Sequence, residues 1–474
     1  MQWEMVAGLE IHARIKSNTK MFCQCSNDTF AAEPNIHICP VCAGFPGALP
    51  QPNAAAIKLG LLTALALRCE IPAFSKFDRK SYFYPDLPSG YQISQYDEPV
   101  SSNGKVEFFV GTEKKTVRMN RLHLENDAGK LIHEGGDTLV DLNRAGSPLM
   151  EMVTEADFRT PEEIVGFLKE LQKSLRTVGS SDADMEKGMM RCDVNISLRP
   201  KGQQEFGTKT ELKNMNSFTN IEKAVRAEIK RQQQLLEAGE KVVQETRGWD
   251  VEKEVSLPQR SKEEAADYRY FPEPDIPPLT ISAEDIAQLK AELPELPAAK
   301  LERFVAEYGL AWETAEIIAG DHEFTAFFET ATQTSGNAKK TANWIVGDLA
   351  ALLNEAGTKL RESKLSAENL GQMVKLIEQG TISGKIAKEI FPELFASGQD
   401  VEQLVKDKGL EQVSDSGEIE QFCQEVIAEN PQIVESYQGG KDKALGALVG
   451  QVMKKSRGQA NPQMVNDVLK QMLS

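Results

Sequence analysis

Five segments of the sequence alternate apolar residues with side chains that bind metal ions and phosphates. Residues 9–15 place Glu10 and His12 on one side of a predicted strand, because successive side chains of a strand point to opposite faces. Residues 121–125 do the same for Glu125. The other segments, at 148–153, 191–199 and 209–213, contribute Glu151, then Asp193 and Asn195, then Glu211 and Lys213.

This set of side chains suits the chemistry of a magnesium nucleotide. Carboxylates are the ligands that hard divalent cations prefer, and cationic side chains neutralise phosphate during phosphoryl transfer. A single such strand is better explained by an antiparallel sheet with one face in water. Five strands that share His, Asp, Asn, Glu and Arg favour a face that does chemistry.

Several nucleotide and hydrolase motifs are missing from the sequence. It contains no G-x-x-x-x-G-K-[ST], no G-x-G-x-x-G on a strand–helix turn, no kinase H-R-D or D-F-G set and no G-x-S-x-G. A nucleotide site in this chain is therefore expected on the surface of a sheet.

Four cysteines form two close pairs, Cys23-x-Cys25 and Cys39-x-x-Cys42. Two such pairs at this separation predict a tetrahedral Zn²⁺ site with four thiolate ligands. Four protein ligands close the site, so the zinc is expected to be structural and not catalytic. The alternative is a set of reduced thiols without metal.

The overall charge of −17 excludes a protein that binds nucleic acid non-specifically over a broad cationic surface. Residues 439–474 are the exception, with six Lys or Arg and two Asp. This tail is either a docking site for an anionic partner or a solvated helix face. We find neither a secretory signal nor an apolar run long enough to cross a membrane, and expect a cytoplasmic protein.

The 474 residues exceed the size at which a single core stops growing. Capping signals predict helices that begin after Thr160, Ser217, Ser366 and Ser383, the last of them ending before Pro392. The Pro-rich stretch 268–278 cannot be helical, and from Pro294 onward the pattern is helical. We predict three domains, at 1–292, 293–413 and 414–474.

Longer motifs resemble one known family. They are VAGLEIH at 6–12, SKFDRKSYFYPDLP at 75–88, LHLENDAGK at 122–130, MRCDVNIS at 190–197, DYRYFPEPD at 267–275 and KKSRGQANP at 454–462. Together they resemble the B subunit of the aspartyl/glutamyl-tRNA amidotransferases, in order and over nearly the whole chain.

The resemblance implies an α+β fold, in which an antiparallel-sheet cradle related to glutamine synthetase precedes an all-α helical domain and a tRNA-binding tail. It implies that ATP phosphorylates the side chain of glutamate on tRNA(Gln) or aspartate on tRNA(Asn), and that ammonia then displaces the phosphate. The ammonia comes from a partner amidase, the A subunit, and a small C subunit makes the complex a heterotrimer. No amidase Ser-Ser-Lys pattern occurs in this chain.

Site residues follow from the same resemblance. Glu10, His12, Glu125 and Glu151 match the family's Mg²⁺ positions, and Lys454, Lys455 and Arg457 match its tRNA-binding tail. Contacts to the nucleotide and the acyl phosphate are expected from Arg79, Lys80, Asp193, Asn195, Glu211 and Lys213. His123 is interpreted as structural, and Tyr268, Tyr270 and Phe271 as core anchors.

Two other functions remain open at this level. A glutamine-synthetase-like ligase acting on a small free amino acid would not need the basic tail, so deletion of residues 414–474 would leave its activity intact. A non-catalytic tRNA adaptor would not need the carboxylate face, so ATP hydrolysis that depends on Glu125 would exclude it.

Overall fold

A computed structural model describes residues 2–30, 32–261, 267–410, 416–441, 443–456 and 460–473. The chain forms two compact units, Met1–Ala299 and Lys300–Ser474. The strands all belong to the first unit: β1 (Trp3–Arg14), β2 (Phe74–Ser75), β3 (Asp78–Ser81), β4 (Tyr91–Ser94), β5 (Ser101–Val110), β6 (Glu113–Asn126), β7 (Lys130–Glu134), β8 (Asp137–Asp141), β9 (Pro148–Thr154), β10 (Met190–Pro200), β11 (Thr210–Lys213), β12 (Glu245–Asp250), β13 (Val255–Ser261), β14 (Phe271–Pro272) and β15 (Leu279–Thr280).

Eight strands form the main sheet, in the order β13-β12-β11-β10-β1-β9-β6-β5. Its neighbours are antiparallel except for the parallel pair β11–β12. Smaller sheets are formed by β14-β3-β4, by β15-β2 and by β7-β8. The prediction of an α+β unit rich in antiparallel strands is confirmed.

The described residues of the first unit also form the helices α1 (Ala54–Ala66), α2 (Pro161–Val178), α3 (Phe218–Glu237) and α4 (Ala283–Glu292). The predicted start of α2 is confirmed, because Thr160 and Glu163 form a capping box and Gly179 ends the helix in the left-handed region. Apolar residues of α1, α2 and α3 share one core with the apolar face of the main sheet. The opposite face of the sheet is thereby left for the polar side chains.

In the second unit the described residues form helices and no strand: α5 (Pro297–Tyr308, beginning at the boundary), α6 (Trp312–Ala319), α7 (His322–Ser335), α8 (Ala338–Trp344), a π-helical turn (Ile345–Leu349), α9 (Ala350–Ala356), a 3₁₀ turn (Leu360–Glu362), α10 (Ala367–Glu378), α11 (Gly384–Ser397), α12 (Val401–Asp407), α13 (Ser416–Glu429), α14 (Pro431–Gln438), α15 (Lys443–Lys455) and α16 (Pro462–Leu473). Helices α13, α15 and α16 share a separate apolar core that contains Val426, Leu448 and Leu469. The proposed start of a tail domain at 414 falls outside the described residues, so the three-domain division stays a prediction.

The prediction that the helix after Ser383 ends before Pro392 is wrong. Helix α11 contains this proline and ends only at Gly398, which has a φ of 69°. A proline inside a helix loses one hydrogen bond and crowds the preceding turn. Phe391 and Leu394, on either side of the proline, are both buried, so packing of the continued helix offsets that cost. No helix in the described part of the chain is long and apolar enough to cross a membrane.

Candidate active site and cysteine cluster

The five polar segments become five neighbouring strands, β11, β10, β1, β9 and β6. Residues directly opposite each other on antiparallel strands share a face. His12 lies opposite Glu151, and Glu151 lies opposite His123. Glu10 lies opposite Asp193 on the other side of β1. The prediction of one common polar face is therefore confirmed.

Two histidines and two glutamates meet at the centre of this face. The Nε2 atom of His12 lies 3.5 Å from Oε1 of Glu125 and 3.2 Å from Oε2 of Glu151. The Nε2 atom of His123 lies 3.3 Å from the same oxygen of Glu151 and 3.7 Å from Oε2 of Glu125. His123, Glu125 and Glu151 are buried. His123, which the sequence predicts to be structural, belongs to this polar cluster.

The charges of this cluster set its protonation. Burial lowers the pKa of His123, but Glu151 and Glu125 outweigh burial and raise it to about 9. Burial also lowers the pKa of His12, but its hydrogen bond to Glu151 and the charge of Glu125 outweigh burial, so the pKa is raised overall. Burial raises the pKa of Glu151, and the two histidines outweigh that effect and lower it. The two carboxylates are therefore held as anions by the two imidazoles.

The ligand atoms of this cluster form two overlapping groups, Glu10 with His12 and Glu151, and His123 with Glu125 and Glu151, each within 4.8 Å. Glu10 differs from the other two glutamates, because burial and the charge of Glu151 raise its pKa. Negative charge at Glu10 is thus incompletely compensated by the protein. A cation bound here would relieve the repulsion between Glu10 and Glu151.

The next strands add a cationic side chain beside this acidic centre. Lys213 Nζ forms an ion pair with Asp193 and lies 3.3 Å from Oε1 of Glu211. Thr246 Oγ1 donates a hydrogen bond of 2.7 Å to Glu211 Oε2 and fixes that carboxylate. Asn195 lies opposite Glu211 on the neighbouring strand. It does not line the cavity over this face.

This cavity has a volume of about 880 Å³ and combines the acidic centre with cationic and aromatic groups. Lys80 reaches it from β3, and its Nζ lies 4.8 Å from the ring centroid of Tyr268. Burial lowers the pKa of Lys80, but the charge of Glu125 outweighs burial and raises it. The cavity is lined by Glu10, His12, Lys80, Arg121, His123, Glu125, Glu151, Arg191, Asp193, Glu211, Lys213, Tyr268 and Tyr270, among others.

The structure does not bring Arg79 into this cavity, contrary to expectation. Adjacent residues of a strand point to opposite faces, so Arg79 and Lys80 cannot both reach it. The guanidinium of Arg79 donates to both carboxylate oxygens of Glu273, at 2.7 and 2.9 Å, and stacks on Tyr91. It lines a different cavity of about 330 Å³.

Several residues that contribute to the site were not among the predicted site residues. Tyr268 and Tyr270 were predicted as core anchors but line the cavity instead, and Phe271 is 45% exposed. Ser94 is buried and donates a hydrogen bond of 3.2 Å from Oγ to Glu125 Oε2. The signal for Ser94 was its alternation with Gln92 on β4, which lines the same cavity.

The four clustered cysteines converge as predicted. All four Sγ atoms lie within 4.8 Å of one another, and Cys42 Sγ lies 3.9 Å from those of Cys25 and Cys39. A tetrahedral zinc site with Zn–S bonds of about 2.3 Å requires Sγ separations of about 3.8 Å. His37, which lies between the two cysteine pairs in the sequence, is not part of this group.

A fully buried lysine lies beside one sulfur of this cluster, that of Cys42. Lys20 Nζ lies 3.4 Å from Cys42 Sγ and donates 2.8 Å to the carbonyl oxygen of His37. A hydrogen bond from Cys23, the backbone N–H of Cys39 and the charge of Lys20 together lower the pKa of Cys42 to about 4, against the effect of burial. A buried ammonium needs such a partner.

The basic residues of the tail differ in their surroundings. Lys454 is exposed at the end of α15. Lys455 lies 2.7 Å from Glu425 and 2.6 Å from Glu429, both on α13, so its charge is largely compensated. Arg457 lies outside the described residues.

Comparison with known proteins gives matches over both units. Residues 5–287 match the family model described as the GatB/GatE catalytic domain, and residues 326–473 match that of the GatB domain. The first match contains every residue of the site described above.

Full-length relatives agree with these matches. A Carboxydothermus hydrogenoformans protein named as the B subunit of aspartyl/glutamyl-tRNA(Asn/Gln) amidotransferase is 50% identical over 478 aligned residues, covering 100% of this chain and 99% of the relative. Proteins of the same name from Persephonella marina and Brevibacillus brevis are 48% and 47% identical. Their alignments cover 100% of this chain and 100% and 99% of the respective relatives.

Proposed function

The chain belongs to the family of B subunits of aspartyl/glutamyl-tRNA(Asn/Gln) amidotransferases, and we propose that it amidates glutamate on tRNA(Gln), aspartate on tRNA(Asn), or both, at the expense of ATP. In the first step, an oxygen of the side-chain carboxylate attacks the terminal phosphorus of ATP, and ADP leaves. In the second step, ammonia attacks the acyl carbon, loses a proton and expels inorganic phosphate. The product is Gln-tRNA(Gln) or Asn-tRNA(Asn).

One observation carries this proposal: anionic and cationic side chains alternate within a single cavity on the sheet face. The first step brings a carboxylate against a polyphosphate, so it needs positive charge at the point of attack. Lys80 and Lys213 supply that charge from two sides of the acidic centre. Arg191, held 3.2 Å from Asp127, supplies a third positive group.

Glu10, His12, Glu125 and Glu151 would hold a divalent cation, Mg²⁺ in our proposal. The donor set fits, because the ligand atoms lie in overlapping groups within 4.8 Å and two of the carboxylates are held as anions. The incompletely compensated charge of Glu10 fits the same conclusion. Bound Mg²⁺ supplies Lewis-acid stabilisation and a template for in-line transfer.

The other predicted residues take supporting roles in this proposal. Asp193 and Glu211 hold the ammonium of Lys213 toward the reacting phosphoryl group. Asn195 lies opposite Glu211 but does not line the cavity, so it is given no direct contact with the nucleotide. Arg79 is left out, because it lines the other cavity.

The wider assembly belongs to the same proposal. The chain contains no amidase motif, so ammonia comes from the amidase of the complex, its A subunit, and the small C subunit is the third component. The first unit is a cradle related to glutamine synthetase, Cys23, Cys25, Cys39 and Cys42 hold a structural Zn²⁺, and the complex acts in the cytoplasm. The exposed Lys454 at the end of α15 contributes to tRNA docking.

The test is reconstitution of the chain with the amidase and the small third component, followed by amidation assays with Glu-tRNA(Gln) and Asp-tRNA(Asn). Phosphorylation of the aminoacyl-tRNA is measured from γ-labelled ATP, and amide formation is measured separately with glutamine or ammonium as donor. The function is supported if at least one of the two tRNAs is amidated and if this amidation requires ATP. Failure with both tRNAs contradicts it.

Two variants separate the alternatives. Glu125→Gln removes one site charge, and Glu284→Gln, on an exposed position of α4, is the matched control. If the chain were a non-catalytic tRNA adaptor, the Glu125→Gln and Glu284→Gln variants would consume ATP at the same rate. A chain that ends at residue 413 distinguishes a ligase for a small amino acid, which would keep its full activity without the tail.

A further inference from the structure

A β-bulge changes the direction of the side chains on β6 just before the site. Met119 lies opposite Thr154 and Arg121 lies opposite Val153, so Asn120 is an extra residue between two consecutive partners. Val117 and Met119 face the core before the bulge, whereas Leu122 faces it afterwards. The bulge therefore inverts the alternation, and bulges of this kind re-aim side chains next to active sites.

Arg121 is the first residue that the bulge re-aims. It reaches the same face as His123 and Glu125 and lines the cavity with them. Without the extra residue, the alternation of β6 would direct this arginine into the apolar core. Asn120 itself stays outside and donates a hydrogen bond of 2.8 Å to Glu155.

The guanidinium of Arg121 lacks the partners that other cations of the cavity have. Arg191 pairs with Asp127, and Lys213 pairs with Asp193. Among the described residues, the one hydrogen bond that Arg121 donates is long, 3.4 Å from Nη1 to the carbonyl oxygen of Tyr96. Its Nε is buried without a hydrogen-bond partner in the part of the chain that the structure describes. A buried donor without a partner is unfavourable until an acceptor arrives.

The position of Arg121 indicates which acceptor that is. The register places Arg121, Val153, Glu10 and Asp193 in one row across four strands. Arg121 and the Lys213–Asp193 pair are therefore on opposite sides of the acidic centre, about 14 Å apart at the usual strand spacing. A planar guanidinium with free donors matches the oxygens of a phosphate group.

We propose that Arg121 binds a phosphate group of a substrate at the edge of the acidic centre, an inference that rests on the proposed function. Two sources have this chemistry, the polyphosphate of ATP and the phosphodiester next to the 3′ end of the aminoacyl-tRNA. Arg121 offers two parallel N–H donors to either of them, which a lysine cannot reproduce.

The experiment uses the complete amidotransferase complex with Arg121→Met and Arg121→Lys. Arg118→Met is the matched control, because Arg118 lies on the same strand, is 69% exposed and pairs with Asp157. Binding of AMP-PNP in the presence of Mg²⁺ is measured by calorimetry. The KM for aminoacyl-tRNA is measured separately at saturating ATP, and thermal unfolding of each variant is recorded.

Arg121→Met is expected to weaken one of these two interactions by about ten- to a hundredfold, the range for a charged hydrogen bond. Arg121→Lys should fall between Arg121→Met and the unmodified chain, and Arg118→Met should match the latter. Weaker AMP-PNP binding assigns the phosphate to ATP, and a raised KM for aminoacyl-tRNA assigns it to the tRNA.

Changes below about twofold in both measurements, in a folded Arg121→Met protein, overturn the inference. If Arg121→Met does not fold, the same twofold limit is applied to the AMP-PNP affinity and the KM of Arg121→Lys. The calorimetric arm needs no catalysis, so it also separates this inference from the proposed function. An unmodified complex without ATP-dependent phosphorylation contradicts the function even when its AMP-PNP binding depends on Arg121.

Discussion

The Nε2 atom of His12 lies 3.2 Å from Oε2 of Glu151, directly across the pair formed by β1 and β9. His123 approaches the same oxygen from the third strand, at 3.3 Å. The middle strand of the three therefore carries a carboxylate that is shared by two imidazoles. Glu151 belongs to both groups of potential metal ligands, so its charge should matter to the whole site.

Replacement of Glu151 by Gln should lower the kcat for ATP-dependent phosphorylation of Glu-tRNA(Gln) by about 10²–10³-fold. The substitution keeps the shape of the side chain and removes a charge that would hold the proposed divalent cation, as when one electrostatic stabiliser is deleted from other enzymes. Phosphate transfer from γ-labelled ATP measures the effect.

Glutamine hydrolysis by the same complex should persist at least in part, because the proposed function assigns that chemistry to a partner amidase. Glu134→Gln, at an exposed position of β7, serves as the control. Phosphorylation by Glu151→Gln within a few-fold of normal would show that the carboxylate face does not hold the metal.

The cysteine cluster should contain one zinc ion per chain when the protein is purified without chelators. Cys25→Ala should lose this zinc and lower the melting temperature, while phosphorylation changes much less, because a closed site orders a loop and does no chemistry. Elemental analysis and calorimetric melting measure the two effects.

Cys69→Ala is the matched variant, since Cys69 is buried outside the cluster. It should keep its zinc whatever happens to its stability. A zinc-free preparation of the unmodified chain that is normally folded and active would contradict the assignment.

Local signals predicted much of the scaffold. The capping residues Thr160 and Ser217 begin helices where expected, because the N-cap hydrogen bond is encoded within four residues. Period-2 alternation also predicted the polar face of the main sheet, since a strand with one buried face admits only one register. Both signals are local, and the sequence contains them in full.

Other features depended on contacts distant in sequence. Alternation separates Arg79 from Lys80, but only the pairing of β3 with β4 and β14 decides which of them faces the site. Tyr268 and Tyr270 lie in a Pro-rich stretch without periodicity, so their place at the cavity could not be read from the sequence. Helix α11 continues through Pro392 because the nearby residues Phe391 and Leu394 are buried. The rule that a proline ends a helix takes no account of such packing.

A buried ion-pair network should stabilise the first unit. Glu228 is fully buried on α3 and accepts hydrogen bonds of 2.8 and 2.7 Å from Arg231, and of 3.2 Å from Ser256 on β13. Glu228→Leu leaves cationic partners without their carboxylate and should lower the free energy of unfolding by about 3–5 kcal/mol. Urea denaturation measures the loss.

The control for this prediction is on the same helix. Glu222 pairs with Arg226 at the surface, and Glu222→Gln should change the free energy of unfolding by less than about 1 kcal/mol. Equal effects of the two substitutions would mean that the buried network adds no stability beyond a surface ion pair.

The two adjacent lysines of the tail should contribute unequally to tRNA binding. Each phosphate contact that is lost should flatten the log–log dependence of affinity on salt by roughly one unit. Lys454 is exposed, so Lys454→Ala should lose about one such contact. Lys455 already pairs with Glu425 and Glu429, so Lys455→Ala should change the slope less. Binding of tRNA to the complex at several salt concentrations measures both slopes.

The same argument predicts an effect of opposite sign for the acidic partners. Glu425→Gln removes a competitor for the ammonium of Lys455, so tRNA should bind more tightly and with a steeper salt dependence. Lys105→Ala, at an exposed position of β5 in the first unit, should leave affinity and slope unchanged. If Lys454→Ala and Glu425→Gln also leave both unchanged, the tail does not dock the tRNA through these charges, and its basic residues are a solvated helix face.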